Sequence, residues 1–172
     1  AILTKDGVTV INSYGERVNC VYEHIDWDAS AAEKCGYPHF MIKEIMEQPE
    51  AIAKTIAPRI SNGRIELGFK HITAEMLKKV NSIKIIGCGS AYHVGFVAGY
   101  FMRTALRIPV ESVLASEFRY DDPIVDENTL AIVISQSGET LDTLYGLREA
   151  KKHGAKTIAI VNVVGSTIAN ES

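Results

Sequence analysis

From residue 83 onward, four short runs rich in Val and Ile recur with helical stretches between them, and this alternation restricts the chain to very few architectures. The runs lie at 83–86, 109–114, 130–134 and 157–161, each bounded by Gly, Pro, Asn or Ser. Apolar runs that short read as strands buried on both faces, the condition of parallel sheets. Between them lie a helical stretch at 91–106, a turn-rich piece at 116–122 and a helix at 139–153. In the last of these, Leu141, Leu144, Leu147 and Ala150 form an inward stripe opposite Arg148, Lys151 and Lys152, and Gly154 stops the helix. Strands joined by crossover helices predict an α/β fold, a doubly wound parallel sheet.

The first seventy residues are patterned differently. Residues 2–4, a turn at 5–7, and Val8, Val10 and Asn12 in alternation predict a β-hairpin, with a second turn at 13–15. A lone hairpin is marginal in water, so this one is expected to belong to a larger sheet. Residues 26–38, which hold the only Trp, read as an ordered linker. Met41, Ile42, Ile45 and Met46 then share one helical face. Pro49 either ends that helix or opens another, because Ala51, Ile52 and Ile56 continue the stripe. Residues 58–63 break the pattern, and a short helix follows at 73–80 with Thr73 at its start.

With 172 residues, 47% of them apolar, the chain has the size of one globular unit and a small appendage. A net charge of -3 and a pI near 6.0 give no electrostatic footprint for nucleic acid. No apolar run approaches a membrane span and the first residues do not form a signal peptide, so the expected location is cytoplasmic, with no membrane partner. Cys20, Cys35 and Cys88 are odd in number and widely spaced; neither a disulfide framework nor a metal site is expected, and Cys88 reads as a small buried hydrophobe.

In open α/β sheets, ligands bind beyond the carboxyl ends of the strands, where loops present backbone N–H groups and positive helix ends. Two such loops stand out. In residues 87–93, Gly87 and Gly89 allow close backbone approach to a ligand, and Ser90 offers a hydroxyl at the helix start. The dinucleotide fingerprint G-x-G-x-x-G fails here, since Tyr92 stands where its third glycine belongs, and Glu111 comes too early in its strand to hold a ribose.

In the second loop, Ser135, Gln136, Ser137, Gly138, Glu139 and Thr140 crowd one helix N-terminus, with Ser137 as its natural N-cap. A well-capped helix accounts for Ser137, Glu139 and Asp142. It leaves Ser135, Gln136 and Thr140 unexplained, and a small phosphorylated sugar held by hydroxyl, amide and N–H groups accounts for them without Arg or Lys. Glu139 either points away and stabilises its own helix, the favoured reading, or serves the sugar as acid or base. His93 either contacts ligand or packs; His24, His39, His71 and His153 are dispersed and read as surface or structural.

These loops, with residues 162–166, resemble the sugar isomerase (SIS) domain, a flavodoxin-like and Rossmann-like fold. Residues 25–34 and 38–49 resemble the interdomain segment of one SIS-containing family, the glutamine–fructose-6-phosphate aminotransferases or glucosamine-6-phosphate synthases. That resemblance implies residues 1–20 as the end of a glutaminase domain, 21–72 as interdomain segment and 73–172 as part of the first SIS domain. It implies a fructose 6-phosphate or glucosamine 6-phosphate ligand, no cofactor, and a homodimer. Ser90, Ser135, Gln136, Ser137 and Thr140 would hold the sugar phosphate, with Gly89, Ala91 and Glu139 in lesser roles. Where the family usually has a second Ser or Thr, Ala91 stands, so one ligand hydrogen bond is expected to be missing.

The resemblance also implies a fragment. Ala1 is not the family's nucleophilic Cys, the chain shows four SIS strands where the family has five, and the second SIS domain carries the family's catalytic groups. No catalytic residue is therefore expected here, and the chain alone should be inactive. The alternatives are a non-catalytic, phosphosugar-sensing SIS module and a structural role through an unpaired sheet edge.

Overall fold

The computed structural model describes residues 1–20, 33–69 and 71–172, so most of the linker at 26–38, with Trp27, lies outside the described residues, as does His24. The chain divides into two compact units, 1–67 and 68–172.

In the first unit, β1 (Ile2–Thr4), β2 (Gly7–Ile11) and β3 (Arg17–Val18) form an antiparallel meander in the order β1-β2-β3. The expected hairpin is its first half. The second turn closes because the Asn12 side-chain oxygen accepts from the Tyr14 and Glu16 N–H groups at 2.9 and 3.0 Å, which brings β3 back beside β2. The amphipathic stretch forms one helix, α1 (Phe40–Ile56), with Pro49 inside it, so Pro49 neither ends the helix nor opens another. Its apolar stripe is exposed, Met41 at 74%. Lys43 is instead buried, its Nζ donating to the Glu33 carbonyl at 2.5 Å. After a 3-10 turn (Ala57–Arg59), β4 (Ile60–Ser61) and β5 (Arg64–Ile65) form a hairpin that the sequence reading missed. Its tip is Asn62-Gly63, both with positive φ (50° and 72°), the pair preferred in tight hairpin turns.

In the second unit, Thr73 caps α2 (Ala74–Lys78) by accepting from the Met76 N–H at 3.2 Å. Then β6 (Ser82–Gly87), α3 (Ser90–Leu106), β7 (Val110–Leu114), α4 (Ala115–Phe118), β8 (Thr129–Ser135), α5 (Leu141–Lys152), β9 (Lys156–Val161) and α6 (Thr167–Glu171) follow. The sheet is parallel throughout, in the order β7-β6-β8-β9. The fold is α/β with a small antiparallel sheet at the N-terminal end, as expected. Successive strand residues serve opposite faces. Ile86, Ala131 and Val133 pack with Phe118, Leu144, Leu147 and Ile168, while Ile83, Ile85, Val110 and Leu130 pack with Ala98 and Met102. Each fully buried Ile, Leu or Val contributes about 1.5–3 kcal/mol.

The stripe assigned to α5 needs one correction. Leu141 is 66% exposed, because it is the first helical residue at the rim of the sheet, and Gly146 takes a core position in its place. The early position of Glu111 also has its explanation: Glu111 sits opposite Lys84 in the β6–β7 register and accepts from its Nζ.

Glycines bring α3 onto the sheet. A Cβ at Gly95 would lie 2.7 Å from Ile85 Cγ2 and 2.8 Å from Ser112 Oγ, whereas at Gly99 the nearest atom would be 3.6 Å away. Gly95→Ala is therefore expected to lower stability by about 1–3 kcal/mol through overpacking. Gly99→Ala should be neutral or stabilising by up to about 1 kcal/mol through helix propensity. Urea unfolding of the two variants checks this ordering.

Candidate functional site

The strand order places a switch in winding direction between β6 and β8. From β6 the chain moves outward to β7; it then returns to the far side of β6 as β8 and continues to β9. Loops leaving the carboxyl ends of β6 and β8 consequently diverge, and a crevice opens between them. In register, Gly87 stands opposite Ile134 at the mouth of this crevice.

Backbone packs closely around Gly87 at the end of β6. A Cβ at Gly87 would lie 3.2 Å from each of three backbone atoms, the Ala91 carbonyl carbon, the Ile134 carbonyl oxygen and the Tyr92 nitrogen. A side chain there would press the first turn of α3 away from the strand ends by a few tenths of an ångström. Gly89 is the N-cap of α3, at φ 54° and ψ -129°, and Ser90 is the first helical residue, exposed.

On the other wall Ser135 is buried at 3% exposure. Its Oγ accepts from the Gly138 N–H at 3.0 Å and lies 3.2 Å from Thr140 Oγ1. Ser137 Oγ accepts from the Glu139 N–H at 3.2 Å. These bonds curl the loop, so α5 begins three residues later than Ser137 implies. The N-cap is Thr140, and Ser137 is a turn residue. Thr140 makes no side-chain cap bond, its hydroxyl being turned to Ser135. The first N–H groups of α3 and α5 have no carbonyl partner in their own helices, so both helices present a positive end here.

Between these walls lies a cavity of about 270 Å³, near the lower end of the roughly 300–1,000 Å³ usual for small-ligand pockets. Ser90, Ala91, Ser135, Gln136, Ser137 and Thr140 line it, so the structure gathers six of the eight residues singled out from sequence. Gly89 and Glu139 do not line it. Cys88 does: it packs against the core but is half-buried, with its thiol 3.7 Å from the Thr143 hydroxyl. Sequence reasoning missed Thr143, which also lines the cavity; its spacing of three from Thr140 on one helix was the available signal. Among the described residues no charged side chain lines the cavity, and no group of three or more His, Cys, Asp or Glu is placed to hold a metal.

Glu139 points away from the cavity, but not to its own helix. Its carboxylate accepts from the Thr167 N–H at 2.7 Å, at the start of α6. That bond, and a second from the Thr167 side chain, hold its pKa below the usual carboxylate range. His93 is exposed, its ring tilted against Tyr92 at 5.3 Å, and does not line the cavity.

The profile of the family described as SIS domain matches residues 76–172. Over 172 residues, 99% of the chain, the sequence is 52% identical to a glutamine–fructose-6-phosphate aminotransferase [isomerizing] of Clostridium tetani. It is 53% identical to the protein of that name from Clostridium acetobutylicum over 98% of the chain. The chain spans 28% of the length of each. Among solved structures, the C-terminal domain of glucosamine-fructose-6-phosphate aminotransferase from Francisella tularensis superposes with a TM-score of 0.75 at 41% identity. That match covers 81% of this chain and 39% of the other. A glucosamine-6-phosphate deaminase from Thermotoga maritima superposes at 0.60 with 26% identity, covering 78% and 38%. Among the described residues no helix is long and apolar enough to cross a membrane.

The loop geometry separates two serines of one motif. Ser135→Ala deprives the buried Gly138 N–H of its acceptor and should lower stability by about 1–3 kcal/mol. Ser137→Ala removes a bond to a more exposed N–H and should cost less than about 1 kcal/mol. Thermal unfolding of both variants measures the difference.

Proposed function

Because the chain belongs to the SIS domain family, we propose that its cavity is the fructose 6-phosphate cradle of a glutamine–fructose-6-phosphate aminotransferase. The observation that carries this reading is the reach of the likeness. The SIS profile stops at residue 76, whereas the aminotransferases match essentially the whole chain at about half identity. A phosphosugar-sensing module would not be expected to keep about half identity over residues 1–75 as well.

In this reading the phosphate sits against the N-termini of α3 and α5, where first-turn N–H groups and the two helix dipoles attract an anion. Ser90, Ser137 and Thr140 supply hydroxyl donors and Gln136 an amide, all on the cavity wall. Ser135, already engaged with the Gly138 N–H, holds the loop as much as the ligand. Among the described residues the cavity lining holds no carboxylate, imidazole or amine, so in this reading it binds and orients the sugar while proton transfer belongs elsewhere in the whole protein.

For the whole protein we propose conversion of fructose 6-phosphate and glutamine to glucosamine 6-phosphate and glutamate, a step of amino-sugar synthesis. Residues 1–20 are then the end of a glutaminase (glutamine amidotransferase) domain, 21–72 an interdomain segment and 73–172 part of the first SIS domain. We further propose a cytoplasmic homodimer. The exposed outer side of α3, with Val97, Tyr100 and Phe101, supports an association surface.

Calorimetry with fructose 6-phosphate tests the cradle. Thr140→Ala should weaken binding about tenfold, the scale of one good hydrogen bond. Ala91→Ser, which restores a hydroxyl to the wall, should tighten it by a few-fold, again about one hydrogen bond or less. Unchanged affinity in both returns the loop to a mere helix cap. Mixed with glutamine and fructose 6-phosphate, the chain should form no glucosamine 6-phosphate; product would overturn the division of labour.

A further inference from the structure

Glu139 lies in the middle of the loop that lines the cavity, yet its side chain takes no part in the cavity wall. It is one of three groups by which that loop is fastened to the β9–α6 connection. The Gln136 carbonyl accepts from the Asn162 N–H at 3.3 Å, the Gly138 carbonyl from the Ile168 N–H at 3.0 Å, and the Glu139 carboxylate from the Thr167 N–H at 2.7 Å. Glu139 and Gly138 thus take up two successive N–H donors at the start of α6, which its own short helix leaves without carbonyl partners.

The fastening is close. Gly138 has φ 68°, and a Cβ there would lie 2.0 Å from Ser166 Oγ, so the two loops meet backbone to side chain with no room between them. Ser166 is 4% exposed and, among the described residues, its hydroxyl has no hydrogen-bond partner. That contact therefore relies on the neighbouring bonds to stay closed.

We propose that Glu139 is a positioning residue for the phosphosugar loop. By holding the first turn of α6, its carboxylate fixes the conformation in which Ser137 and Thr140 face the cavity. The inference rests on the phosphosugar reading of the cavity and assigns Glu139 neither proton transfer nor sugar contact. An acid or base would have to face the ligand, and this carboxylate is turned to the Thr167 N–H instead of the cavity.

Thr167 offers a clean counterpart to a Glu139 variant. It is the first residue of α6, preceded by Ser166 in extended conformation with ψ 161°, a place where Pro is accepted. Thr167→Pro deletes both groups that donate to Glu139, the N–H and the side-chain hydroxyl, without removing a helix bond. Glu139→Ala and Thr167→Pro should each weaken fructose 6-phosphate binding about tenfold. The double variant should be no weaker than either single one. Glu139→Gln, which keeps an acceptor oxygen, should stay within about threefold of the parent chain, since a neutral bond is weaker but still made.

Amide hydrogen exchange without ligand provides a second arm. Protection at Gly138 and Ile168 should fall in Glu139→Ala and Thr167→Pro and persist in Glu139→Gln. Additive losses, a Glu139→Gln variant as weak as Glu139→Ala, or unaltered affinity in Glu139→Ala would overturn the proposal, as would unchanged protection. If the parent chain binds no fructose 6-phosphate while the exchange pattern appears as described, the functional reading of the cavity fails and the fastening by Glu139 stands.

Discussion

The parallel pairing of β6 with β8 is the constraint on which the second unit depends. It runs from Ser82 opposite Thr129 to Gly87 opposite Ile134, at the centre of the sheet. Both strands are covered on both faces, and adjacent residues of β6, Ile85 and Ile86, belong to opposite cores. A slip of one residue would exchange the two cores at once, so register is strongly specified. The same pairing sets the two strand ends side by side, and the reversal of winding direction there makes the crevice. Core and site are therefore consequences of one ladder of hydrogen bonds.

How much of this was legible in the sequence depended on how much local chemistry was unambiguous. The four strands were readable to within a residue or so, because Val and Ile dominate each despite Lys84, Glu111 and Ser112, and Gly, Pro or Asn bounds each one. The start of α5 was not, because Ser135, Ser137 and Thr140 are all competent caps, and side-chain hydrogen bonding within the loop decided among them. Pro49 was ambiguous for the opposite reason: an apolar stripe continues past it, and the helix tolerates the missing N–H. Leu141 fitted the periodicity but not the tertiary position, since a residue at the sheet rim finds nothing to pack against. Asn62-Gly63 carried a strong hairpin signal in a stretch otherwise read as a break.

For the cavity, sequence reading located the lining hydroxyls because each follows directly on an apolar strand, where polar side chains have little other reason to crowd. It missed Thr143, which lies a helical turn inside α5, and it treated Cys88 as core although its strand-end position gives it both a core side and a cavity side. Glu139 shows the limit most plainly. A carboxylate in the first residues before a helix suggests service to that helix, and its partner at Thr167 lies 28 positions away in sequence. Only the sheet order, which sets β9 and its following loop beside β8, brings the two together.

Backbone packs closely around Gly87 at the crevice, and the more exposed side chains of the wall are those of Ser90, Ala91, Gln136, Ser137 and Thr140. That separation divides inheritance into two parts. The positive helix ends belong to the frame and survive exchange of rim residues, while the shape and hydrogen-bonding pattern of the wall belong to a few positions such as Ala91, Gln136 and Thr140. A scaffold of this kind can change which molecule it accepts by single substitutions that leave its folding untouched, and that makes it a ready starting point for divergence.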